Sequence, residues 1–168
     1  MKRLFVITFC SIVLIGCGGS STDSGITQGT DTGSFSGTYE GTLELQATAD
    51  AIGTNPKSDN KSVTVEIEIA GNGAVRLTID EFRLDGIIDD DGNWEIAIAI
   101  SGFGSLIDEE SMDTLKMAGC PLGKKFAKIE GQVTPPTMAG EVSGKLSCKV
   151  LLVTVGTLEV SGTLTAIM

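Results

Sequence analysis

Histidine is absent from the 168 residues, and this removes a large share of protein chemistry. A serine or cysteine nucleophile has no imidazole to take its proton, and a zinc site loses one of its usual ligands. Positive charge is also scarce: 12 Lys and Arg stand against 22 Asp and Glu, for a formal charge of −10. So acidic a chain is not drawn to nucleic-acid phosphates or to anionic head groups. A membrane-spanning run is missing too. The apolar stretch Leu4 to Ile15 falls short of the roughly 20 residues that cross a bilayer.

What that stretch does suit is export. Met1-Lys2-Arg3 is a short cationic start, the apolar run follows, and Gly16 supplies a small residue at a cleavage point, as a translocation signal requires. Leu14-Ile15-Gly16-Cys17 resembles the lipobox of bacterial lipoproteins. The resemblance implies that residues 1–16 are removed and that Cys17 becomes the acylated N-terminus. Two or more acyl chains give stable attachment to a lipid bilayer without spanning it. Gly18, where aspartate is absent, implies outer-membrane sorting in a Gram-negative host, by the same resemblance. Cleavage removes Lys2 and Arg3 and no acid, which takes the formal charge from −10 to −12.

The four cysteines then divide. Cys10 leaves with the signal, Cys17 carries the lipid, and Cys120 and Cys148 remain. An oxidising exported location favours a disulfide between these two.

From Cys17 to Ser34 the chain is almost entirely Gly, Ser, Thr and Asp, with Ile26 as the apolar exception. The composition predicts a flexible tether, with an end-to-end distance of roughly 20 to 25 Å. Residues 35–168 form one domain. In Phe35 to Leu45 the odd positions are apolar or glycine and the even ones polar, and this period of two marks a half-buried strand. It returns in 63–69, 75–79, 94–100, 142–150 and 158–164, with weaker strands around 82–88 and 126–133. Turn signals lie at Asn55-Pro56, Gly71-Asn72-Gly73, Asp91-Gly92 and Pro135-Pro136. The expectation is an all-β, single antiparallel up-and-down barrel of about eight strands, with a β-sandwich as the alternative. The segment 106–118, acidic at its start, is expected to form one short helix.

Phe35-Ser36-Gly37-Thr38-Tyr39 resembles the opening of bacterial calycin-like, that is lipocalin-like, lipoproteins, with Gly37-x-Tyr39 standing where lipocalins carry Gly-x-Trp. The resemblance implies a barrel able to hold a small apolar ligand. Tyr39, Phe82, Trp94 and Phe126 are the candidate lining residues, with Phe35 beside them. The inward glycines Gly37, Gly41, Gly144 and Gly162 either leave room for a ligand or let strands bend to close the barrel.

Other motifs carry less. Asp89, Asp91 and Asn93 match the first three ligand positions of a calcium loop, but Trp94 and Ile100 stand where glycine and glutamate belong. The competing reading is an Asp-Gly hairpin with solvated acids. Ser58-Asp59-Asn60-Lys61 contains Ser-x-x-Lys and Ser-Asp-Asn, but overlapping in one expected loop. The pairs Glu66/Glu68 and Glu40/Glu44 point outward by the alternation, away from any glycosidase-like arrangement. The chain therefore reads as a non-enzymatic envelope lipoprotein without cofactor. It is expected to bind a small apolar ligand or, alternatively, to act as a structural or adhesive module meeting an envelope protein or a polysaccharide.

Overall fold

The computed structural model describes residues 25–51, 55–99, 120–121, 123, 125–150 and 153–168. The expected signal segment, Cys17, Gly18 and the expected helix at 106–118 lie outside the described residues.

Eight strands make one closed antiparallel barrel, each paired with its neighbour in sequence and the last with the first. They are β1 (Gly37–Ala51), β2 (Lys57–Ile69), β3 (Ala74–Ile79), β4 (Phe82–Ile88), β5 (Asn93–Ala99), β6 (Lys125–Thr134), β7 (Thr137–Val150) and β8 (Val153–Ile167). The twelve-residue register of β1 on β8, from Glu40↔Ile167 to Ala51↔Gly156, closes the sheet and settles the choice between barrel and sandwich. Among the described residues the one helical element is a 3-10 turn, Gly33–Phe35, just before β1.

The alternation seen in sequence becomes an inside and an outside. Leu43, Ile67, Leu77, Ile96, Ile129 and Leu164 are each no more than 1% exposed, and each such burial contributes about 1.5–3 kcal/mol. Their even-numbered or odd-numbered partners in β1 and β2, such as Glu40, Glu44, Glu66 and Glu68, are exposed. The interior is therefore occupied by the chain's own side chains.

The barrel is uneven. Strands β1, β2, β7 and β8 run 13 to 15 residues, whereas β3, β4 and β5 have six or seven. Between β4 and β5 the register is two residue pairs, Ile87↔Glu95 and Ile88↔Trp94. The four long strands thus extend past the short ones at the upper end, where β1–β2, β3–β4, β5–β6 and β7–β8 connect.

The lower end is closed by the segment read from sequence as the end of the tether. Gly29 N–H donates to the Ile88 carbonyl at 2.8 Å. The N–H groups of Thr30 and Asp31 both donate to Asp90 Oδ1 at 2.9 Å. Thr32 is fully buried; its hydroxyl donates to the Ala70 carbonyl and accepts from Gly73 N–H, each at 2.9 Å. Residues 28–32 are consequently a strap laid across the β2–β3 and β4–β5 turns, and the boundary of the folded unit moves N-terminal of residue 35. The reason is chemical: polar, glycine-rich chain cannot form a core, but its backbone can satisfy turn groups that strand pairing leaves open.

Candidate functional site

The four aromatic candidates are not brought together. Tyr39 and Trp94 are fully buried in the core. The Tyr39 hydroxyl donates to the Phe35 carbonyl at 2.9 Å, and burial raises its pKa above the ordinary 10.0. The Trp94 indole is packed so closely over Gly140 that a Cβ there would lie 2.6 Å from Cζ2, and Trp94 Nε1 has no hydrogen-bond partner. Phe82 lies across from Ile79 at the upper end and is half-buried. Phe126 is the extra residue at the bulge between Ile98 and Ala99; it is half-buried against the edge of the core and borders an open groove. The glycines make no room either. A Cβ on Gly41 or Gly162 would meet the carbonyl oxygen of a neighbouring strand at 2.0 Å, so these residues permit bending and close approach of strands.

The Asp89 loop is a hairpin turn. Asp89 Oδ1 accepts from the N–H groups of Asp91 and Asn93 at 3.0 and 2.9 Å, and Oδ2 accepts from Asn93 Nδ2 at 3.0 Å. Desolvation raises the Asp89 pKa, but the hydrogen bonds from Asn93, Asp91 and Gly92 together outweigh it and leave the pKa below 3.8. The Asp89 oxygens, read as the first calcium ligand, are thus engaged by donors of the same loop, with Gly92 at φ 85° completing the turn. Among the described residues no group of three acids or cysteines is placed to hold a metal ion. Ser58 to Lys61, expected in a loop, lies inside β2.

The cysteine pairing is present: Cys120 and Cys148 are bonded, with Cα atoms 4.4 Å apart and a separation of 28 positions in sequence. Cys148 is buried at the upper end of β7, so the bridge ties the chain entering β6 to the top of β7.

Among the described residues two concave surfaces lie outside the barrel. One open groove of about 700 Å³ runs over β6, β7, β8 and β1 and includes Lys128, Ser143, Ser161 and Gln46. A second, of about 530 Å³, shares Gln46 and Ser161 and continues to Asn60 on β2. The register explains the continuity. Lys128 pairs with Ser143, Ser143 with Ser161, Ser161 with Gln46, and Gln46 with Asn60. Five strands thus present one hydrogen-bonding side chain each at a single level. With strands about 4.8 Å apart, this ladder spans roughly 19 Å.

The rows on either side differ in charge. Above the ladder, Lys145 Nζ is paired with Glu159 Oε1, and the Thr48 and Ser58 hydroxyls bond each other at 2.8 Å. Below it run Glu130, Glu141, Thr163 and Glu44 in register, with Lys128 Nζ donating to Glu130 Oε2 at 2.6 Å. Glu95 extends this acidic row onto β5; it is 2% exposed, and its Oε1 has no partner. No hydrogen bond among the described residues engages the side chains of Gln46, Asn60, Ser143 or Ser161.

No protein-family model matches this chain, and no curated protein matches it. The geometry itself therefore carries the functional reading. The ladder was missed in sequence because its members are separated by as many as 115 residues, Gln46 to Ser161, and only strand register assembles them.

Proposed function

We propose that this chain is an exported, non-enzymatic lipoprotein, anchored in the cell envelope through acylated Cys17, whose barrel offers its outer face to another envelope macromolecule. The observation that carries the reading is the contrast between an interior packed with its own side chains and contiguous open grooves outside it. The strap supports the same reading. It joins the lower end at Gln28, eleven residues after Cys17, a reach of at most about 40 Å when fully extended. Under this reading the lower end faces the bilayer, and the long strands carry the grooves away from it.

Mass spectrometry of the protein isolated from membranes tests the anchor: acyl mass on Cys17 is expected, and Cys17→Ser is expected to release the chain to the soluble fraction. A photo-crosslinking residue at Gln46, compared with one at Arg76 on the outer face of β3, tests the contact surface in cells. No acylation refutes the anchor, and equal crosslinking at both positions refutes the contact surface.

A second reading, carriage of a small apolar ligand, is favoured by the half-buried, inward-facing Phe82 and Leu84 beside the two-pair β4–β5 seam. Its test is organic extraction of the natively purified protein, with a stoichiometric lipid expected if it holds.

A further inference from the structure

We propose that the outer face of β6, β7, β8, β1 and β2 binds an uncharged, hydroxyl-rich polysaccharide lying across the strands along the Lys128–Ser143–Ser161–Gln46–Asn60 ladder. The proposal rests on the contact-surface reading above and names its ligand class.

The first argument is spacing. Strand pairing sets one donor or acceptor about every 4.8 Å, close to the length of one pyranose unit in an extended chain. Successive sugars can therefore meet equivalent groups on successive strands. Serines, glutamine and asparagine each donate and accept, which matches a hydroxyl, itself donor and acceptor.

The second argument is charge. Lys128 is paired with Glu130 and Lys145 with Glu159, and Lys125 and Lys61, which also line the grooves, have partners of their own. The row below retains Glu141 and Glu44, both exposed. These carboxylates repel an acidic glycan, a nucleic acid or an anionic head group, yet accept charge-assisted hydrogen bonds from neutral hydroxyls.

The third argument separates a saccharide from a protein partner. Protein interfaces are centred on buried aromatic and aliphatic anchors. Among the described residues the exposed large hydrophobics, Ile167 and Met168, lie at the lower end, beyond the ladder. Along the ladder itself the side chains are polar, with Phe126 at one end of the groove, so a glycan exchanges water for hydroxyl contacts along it.

The test titrates the full, acylated chain in detergent micelles with linear neutral hexasaccharides of glucose, mannose or N-acetylglucosamine, followed by amide NMR. At least one hexasaccharide is expected to shift resonances along the ladder and to bind at least tenfold more tightly than its own disaccharide, with little change between low and high salt. Gln46→Ala combined with Ser161→Tyr is expected to weaken binding at least tenfold. Unchanged emission from Trp94, which is buried inside the barrel, confirms that the variant is folded. The proposal is overturned if no hexasaccharide binds, if binding is independent of length, or if the shifts fall elsewhere. A crosslinker at Gln46 that traps a polypeptide and no glycan overturns the saccharide but leaves the contact-surface reading standing. Capture of neither, together with no binding, overturns both.

Discussion

The indole of Trp94 occupies the space that a side chain on Gly140 would need, with the two residues on strands β5 and β7 separated by β6. A Cβ at Gly140 would lie 2.6 Å from Trp94 Cζ2 and 3.1 Å from the Glu130 carbonyl oxygen. Gly140→Ala therefore forces the ring aside within a closed barrel, at a cost of about 1–3 kcal/mol, as is usual for overpacking. Equilibrium urea unfolding, followed by the single tryptophan, reads the loss. The native emission of the variant is expected to shift as the ring moves.

Thr32 holds the strap by two bonds from one hydroxyl. Thr32→Val keeps the shape and removes both, leaving the Gly73 N–H and the Ala70 carbonyl with their 3.1 Å bond to each other. The expected loss is about 1–3 kcal/mol. Thr32→Ser keeps the bonds and gives up one buried methyl, for about 1 kcal/mol. Urea midpoints should therefore rank wild type above Ser and Ser above Val; a valine variant as stable as wild type would show that the Thr32 hydroxyl contributes nothing.

The period of two in β1, β2, β3 and β5 was enough to read the barrel, because a sheet with one dry face imposes that period directly on the sequence. The strap was not legible. Its hold comes from backbone N–H groups reaching Asp90 and from one threonine hydroxyl, and neither leaves a hydrophobic pattern. The Asp89 loop misled for a related reason: oxygens at alternating positions suit a cation or a turn equally, and only the positions of Asn93 and Asp91 N–H decide between them. Phe126 shows no conflict with the period of two, because Ala127, Ile129 and Val133 already take the inward positions of β6; its place as the extra residue of the bulge, half-buried at the edge of the core, has no sequence signature.

Tyr39 is the only tyrosine, so alkaline absorbance titration reports it alone. Burial favours the neutral phenol and raises the folded pKa above 10.0. Its contribution to stability is fully present below pH 10 and is lost as pH climbs from there through the folded value. The titration is expected to be shifted upward in the native protein and to return to near 10 in urea. Tyr39→Phe should remove this alkaline dependence and cost about 1 kcal/mol for the bond to Phe35.

Asp89 predicts the opposite arm of the pH profile. Its folded pKa lies below 3.8 because hydrogen bonds to the ionised form outweigh desolvation. The stability it contributes is present above pH 3.8 and is lost as pH falls from there through the folded value. Asp89→Ala should be less stable than wild type at neutral pH, with the gap narrowing below about pH 3.8. A gap that stays constant into acid would show that the ionised carboxylate does not hold the turn.

The Cys120–Cys148 bridge closes a loop of 28 residues that contains all of β6 and most of β7. Chain entropy in the unfolded state assigns such a loop a stabilisation of roughly 3.5 kcal/mol. If the effect resides there, reduction leaves the native barrel unchanged, so Trp94 emission and amide shifts away from residues 120 and 148 should match those of the oxidised protein. The urea midpoint should nevertheless fall. The slope of the transition should steepen, since the reduced unfolded chain exposes more surface. A reduced protein whose native spectra change at β6 would place the contribution in the folded state, with the bridge holding the start of β6 against the upper end of β7.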